Sequence, residues 1–200
     1  MDRMVIAGKL KLYDEVLANV RNDGQYYRIR SLVQVDDPEV KEIARVLVQS
    51  DDFLHASQEF VHTFTNYKRE IGDFWGTPAE SLDSRELDCD CMAILLASLL
   101  RNYIPAEKVF VAFGVWSIDG TQDGHAWVVV QADDGTDLVL ESTAHHQSSL
   151  RGKYTLQAMF NDKYAFATDI GVKDFDLQVE EDKSHVGEVY AVARKAGSVC

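Results

Sequence analysis

Between Asp88 and Pro105 the chain carries Met92, Ala93, Leu95, Leu96, Leu99, Leu100 and Tyr103 at helical spacing. These residues occupy more of a helix's circumference than one apolar stripe, so the segment needs neighbours on several sides. It is predicted as a central buried helix from Cys89 to Tyr103. Asp88 is placed as its N-cap, where a carboxylate accepts from first-turn amides, and Pro105 stands beyond the end. The helix opens on a cysteine, and a second, Cys91, follows two positions later.

Downstream the periodicity changes. Residues 108–116, 124–132 and 136–142 are rich in Val, Phe and Trp and are separated by Asp119-Gly120 and Asp133-Asp134-Gly135. That pattern predicts antiparallel strands and an α+β fold. Turn chemistry selects the register of the second hairpin. A three-residue loop closed by Gly135 in the left-handed region pairs Ala132 with Thr136, Val129 with Val139 and Trp127 with Glu141. One face then holds Val128, Val130, Ala132, Leu138 and Leu140 as the core side, and the other holds His125, Trp127, Val129, Val139 and Glu141. Glu141 becomes a diagonal neighbour of His125, roughly 7–8 Å away between backbones. A slip by one residue would send the two to opposite faces.

Upstream, Asp37-Pro38-Glu39 is a helix start, and residues 37–67 read as two successive helices. Gly72, Gly76 and Pro78 break the pattern and leave Phe74 and Trp75 on a loop ahead of the cysteines. Residues 154–166 are aromatic and fit helix or strand, residues 179–183 are charged and read as exposed, and residues 1–36 carry no assigned element. At 200 residues, without internal repeats, the chain is expected to form one domain over 1–200 with its motif core at 74–143.

The formal net charge of -13 repels a polyanion, so nucleic acid is not an expected partner, whereas neutral or basic ones are accommodated. Cysteines at 89, 91 and 200 do not form a disulfide framework, which favours a reducing compartment. The apolar patch 4–7 is too brief for a signal segment, and no run approaches the ~18 apolar residues of a membrane span. A cytoplasmic protein without membrane association is the expectation.

Chemistry is suggested by order: Cys89, then His125, then Glu141. A thiol nucleophile needs a base, and the base needs a third group to fix its tautomer and aim. Residues two apart on a helix point about 200° from each other, so only one of Cys89 and Cys91 can face His125. At the first turn a thiolate gains from the helix dipole, and amides there can hold an oxyanion. The carboxylates of Asp88 and Asp90 oppose a thiolate and are expected to point away or to be neutralised by a cation.

The run 89–106, followed by His125-Ala126-Trp127 and Leu140-Glu141 and preceded by Trp75-Gly76-Thr77-Pro78-Ala79-Glu80, resembles the transglutaminase-like superfamily, and within it the bacterial transglutaminase-like cysteine peptidases. The resemblance spans residues 74–143. It implies a papain-like α+β fold, a central helix with the cysteine at its N-terminus packed on an antiparallel sheet that supplies histidine and acid. Cys89 would be nucleophile, His125 base and Glu141 orienter, with hydrolysis of a protein or peptide amide as the activity. The resemblance also implies calcium held by the acids beside the cysteine, Asp88 and Asp90, although the triad chemistry requires no cofactor. Two positions depart from the pattern: Glu141 stands where Asp is usual, and Cys91 where an acid is more common. Trp75 and Trp127 are groove candidates, although core packing is the favoured reading for Trp127. Two alternatives compete with the enzyme: a non-catalytic interaction module on the same fold, and a zinc site from Cys89, Cys91, His145 and His146.

Overall fold

The computed structural model describes residues 4–69, 72–143 and 152–181. The central helix, α4 (Cys89–Leu100), is buried along its whole length except at Cys89. It ends three residues earlier than the periodicity predicts, at an Arg101 cap. Its one buried hydroxyl is satisfied: Ser98 Oγ donates to the Ile94 carbonyl at 2.8 Å and accepts the Gln34 amide at 3.1 Å. Each buried leucine contributes roughly 1.5–3 kcal/mol, so the helix anchors the core.

Helices α1 (Pro38–Leu47), α2 (Phe53–Phe64) and α3 (Pro78–Ser84) pack on one side of α4. The Asp37 carboxylate accepts from the Glu39 and Val40 amides and Asp52 accepts from His55, so both predicted helices have the starts their sequence announces. α3 has no assignment from the sequence, whereas residues 72–77 form the expected loop ahead of it. The signal was present in Thr77-Pro78-Ala79-Glu80, which forms a capping box with Pro78 in the first turn.

On the other side lies one sheet. Strands β6 (Val109–Ile118), β7 (Thr121–Gln131) and β8 (Asp137–Leu140) are the predicted antiparallel meander with shifted ends. Residues 1–36, unassigned from the sequence, contain β1 (Met4–Ile6), β2 (Lys11–Ala18) and β3 (Tyr27–Arg28). A short parallel pair apart from the sheet joins β4 (Asn66–Tyr67) to β5 (Glu86–Leu87). The 154–166 region resolves as β9 (Lys153–Phe160) and β10 (Ala165–Ala167), followed by α5 (Asp169–Asp174) and the edge strand β11 (Gln178–Glu181). Among the described residues the order is β11-β2-β10-β9-β6-β7-β8, with β3 beside β2 and β1 parallel to β9. The expected α+β architecture, with the cysteine helix laid on an antiparallel sheet, is therefore observed. Among the described residues no helix is long and apolar enough to cross a membrane.

The second hairpin has the predicted register: Val129 opposes Val139, and the Ala132 amide donates to the Thr136 carbonyl at 2.8 Å. Gly135, at φ 84°, closes the loop in the left-handed region. The expectation of one core face needs correcting. Val128, Val130 and Leu140 join the α4 core as predicted, but Trp127 and Val129 on the opposite face join a second apolar cluster with Phe110, Tyr154, Leu156 and Phe166. The second cluster also takes in the N-terminal residues Met4, Ile6, Leu10 and Leu12, so both faces of the sheet carry buried apolar residues.

Gly114 marks where strand geometry and site meet. It pairs with His125 on β7, and its pairing with β9 shifts register between Phe113 and Gly114. A Cβ there would lie 2.1 Å from the Thr155 carbonyl oxygen and 3.0 Å from the Gln157 nitrogen, both backbone atoms. Gly114→Ala is expected to lower stability by about 1–3 kcal/mol, measured as the urea midpoint. An unchanged midpoint would remove the close approach as a determinant of this strand pair.

Candidate active site

Cys89 is the first residue of α4 and the only one of that helix with part of its surface open. β8 pairs with β7 only from Val128 to Gln131, and the stretch of β7 before it carries Gly124, His125 and Ala126 into the cavity where Cys89 lies. This cavity has a volume of about 630 Å³, and its walls include Cys89, His125, Trp75, Phe113, Asp88 and Asp90. Two of the three predicted triad side chains thus line one cleft, and the third closes on it from behind.

The His125 Nε2 atom is 2.8 Å from Glu141 Oε2. Cys89 lines the same cavity as His125, and its sulfur contributes to the electrostatic environment of the imidazole. Burial alone would push His125 toward its neutral form, but the hydrogen bonds to Cys89 and Glu141, with the charges behind them, outweigh it and raise its pKa from 6.5 to about 10. Glu141 is 5% exposed, and burial would favour its protonated form. The imidazole, together with Thr143, which donates from its amide at 3.1 Å and its hydroxyl at 2.8 Å, holds the carboxyl below its ordinary value instead. Two further contacts immobilise the acid: the Tyr154 hydroxyl donates to Oε2 at 2.9 Å, and Gln58 Nε2 donates to the Glu141 main-chain carbonyl at 2.7 Å.

Cys91 has a different environment. Its sulfur accepts the Gly76 amide at 3.1 Å and donates to the Phe74 carbonyl at 3.3 Å, and burial pushes its pKa far up. It ties the Trp75 loop to the helix. Arg21 grips the same loop from outside, donating to the Trp75 carbonyl at 2.9 Å, pairing with both oxygens of Glu80 at 2.7 and 2.8 Å, and stacking 4.4 Å over Phe74. The guanidinium holds Glu80 down to about 2. Trp75 is 6% exposed, packed on Phe113 and Phe160, so it forms the floor of the cleft rather than an open wall.

Trp127 is corrected outright: its side chain is fully buried in the second cluster, against Tyr154 at 5.0 Å, and does not line the cavity. Asp88 caps α4, accepting weakly from the Cys91 amide at 3.5 Å. Asp90 does not point away. It is 8% exposed, its Oδ1 has no hydrogen-bond partner among the described residues, and burial together with the charges of Asp88 and Cys89 raises its pKa well above the carboxylate range. Ligand-capable atoms of Asp88, Asp90 and Cys91 lie within 4.8 Å of one another. His145 and His146, half of the zinc alternative, lie outside the described residues.

Sequence reasoning missed Thr143, Tyr154, Gln58 and Arg21. Thr143 was detectable, since a hydroxyl residue two positions after an acid commonly bonds back to it. Tyr154 and Gln58 come from β9 and α2, and no local pattern relates them to Glu141.

No family model matches the chain, and no curated relative matches it. Among solved structures, Legionella pneumophila LapG is similar: the EGTA-treated form is 16% identical, covers 78% of this chain and 96% of that one, and superposes with a TM-score of 0.49. The calcium-bound form of LapG is 17% identical, covers 78% and 98% respectively, and gives a TM-score of 0.47.

A raised histidine pKa has a thermodynamic signature. Protonated His125 stabilises the fold fully below its unperturbed value of 6.5, and that contribution disappears as pH rises through about 10. The gap in urea midpoint between the parent protein and His125→Gln is therefore expected to narrow between pH 6.5 and 10. A gap that stays constant or widens over this range contradicts the assigned environment.

Proposed function

We propose that the protein is a cysteine-dependent hydrolase of a protein or peptide amide bond, acting through Cys89, His125 and Glu141. The supporting observation is an imidazole that is paired with a buried carboxylate and lines one cleft together with a cysteine at a helix N-terminus. With the proton on His125, the sulfur attacks the substrate carbonyl carbon as a thiolate, and the negative oxygen that develops is stabilised by amides of the first turn of α4. His125 then gives its proton to the departing amine, leaving a thioester. Water, deprotonated by the same imidazole, cleaves the thioester and restores the thiol. Glu141 stays ionised throughout and orients the ring.

The cleft also carries Asp73, Asp123, Asp174 and Asp176, of which Asp123 pairs with Arg69 at 3.3 Å. This acidic margin favours a neutral or basic substrate segment over an acidic one.

Asp88 and Asp90 have a second proposed task, as oxygen ligands to calcium. The donor chemistry fits in part: two hard carboxylates face one site and one buried oxygen has no partner among the described residues, while the Cys91 sulfur is soft and already engaged by Gly76 and Phe74. A bound cation would relieve the repulsion that two aspartates exert on a neighbouring thiolate. Calcium is expected to raise the melting temperature of the parent protein and to leave Asp90→Asn unmoved. Equal behaviour of the two proteins removes the site.

Labelling with iodoacetamide, mapped by mass spectrometry, tests the nucleophile. Cys89 should react at least about tenfold faster than Cys91 at neutral pH, and His125→Ala should abolish that preference. Uniformly slow labelling of all cysteines would leave a non-catalytic module on this architecture.

A further inference from the structure

The Glu141 carboxylate receives four donors, two on each oxygen, and those on the two oxygens differ in kind. Thr143 supplies both donors to Oε1. Oε2 is divided between His125 at 2.8 Å and Tyr154 at 2.9 Å. A carboxylate only accepts, so the phenolic proton of Tyr154 must lie toward Oε2. Tyr154 is 1% exposed, and β9 holds its ring between Trp127, at 5.0 Å, and His125, at 6.3 Å. The phenol therefore competes with the imidazole for one oxygen inside a water-poor enclosure, where such competition is strongest.

A base that must later act as an acid needs balanced affinity for its proton. A buried carboxylate aimed solely at His125 would hold the imidazolium too firmly to surrender its proton. We propose, on the reading of Cys89, His125 and Glu141 as a catalytic triad, that Tyr154 is a positioning residue which draws off part of the negative charge of Oε2, so that His125 can release its proton to the departing group. Removing the phenolic oxygen leaves Glu141 in place, because Thr143 and His125 still hold it, and directs the whole charge of Oε2 at the imidazole.

The test separates steps that need this proton from steps that do not. With aryl acetates, the Cys89 sulfur bonds to the acetyl carbon and the carbon–oxygen bond to the phenol breaks. A departing oxygen too basic to leave as the anion takes the His125 proton, and water later releases acetate from the thioester. A 4-nitrophenolate leaves without protonation, an unsubstituted phenolate requires it, and iodide leaving from iodoacetamide requires none.

In Tyr154→Phe the acylation rate with phenyl acetate should fall about tenfold or more, while rates with 4-nitrophenyl acetate and iodoacetamide stay within about twofold of the parent. Equal loss with both esters, or no loss with either, overturns the assignment and makes Tyr154 a packing residue. A second variant, with 3-fluorotyrosine at position 154, keeps the ring and strengthens the donor, and should flatten the dependence on leaving group. An unchanged dependence overturns the proposal even where Tyr154→Phe does not fold. A parent protein whose Cys89 reacts with none of the three reagents refutes the triad itself, a result distinct from loss of the tyrosine effect alone.

Discussion

A helix that is apolar on every side has one place where chemistry can occur, and that is its end. Burial of α4 between three helices and the sheet consumes Met92 through Leu100, leaving Cys89 as its only partly open residue. The same burial concentrates polar groups at the N-terminus, where unpaired amides need acceptors and Asp88 supplies one. A sulfur held there meets a cleft on one side and the sheet on the other. The remaining features of the site follow from what the sheet brings to that point.

The two cysteines show how position divides the same chemistry. Cys89 lines the cavity with His125, whereas Cys91 is buried and bridges Gly76 and Phe74. The second sulfur thereby fastens the floor of the cleft to the helix that carries the first. Arg21 reinforces the same loop through the Trp75 carbonyl and Glu80, so the loop is held from within and from without. A cysteine suits this position, since a carboxylate could not accept one backbone amide and donate to a carbonyl without holding a proton.

Glu141 is also explained by its surroundings. Its carboxylate reaches the imidazole while Thr143 and Tyr154 occupy the remaining lone pairs, and Gln58 restrains its backbone. A buried acid remains ionised when its acceptor sites are filled by donors, and here they are. Asp90 has the opposite situation, with one oxygen unpartnered among the described residues and a like charge beside it, and its carboxyl is driven toward the protonated state.

Local chemistry in the chain established the elements and the register. The apolar run from Met92 onward specifies a buried helix, Asp37-Pro38-Glu39 starts another, and Asp133-Asp134-Gly135 sets which residues of β7 and β8 oppose each other. Each of these is decided by dihedral preference or spacing within a dozen residues. The N-terminal strands, the second apolar cluster, the burial of Trp127 and the partnership of Tyr154 with Glu141 arise only when the chain folds back on itself, because β1 pairs with β9 and β2 with β10, which joins the two ends of the sequence. Pairing across such distances depends on which apolar faces remain uncovered after the central hairpins form, and spacing along a single strand carries no record of that.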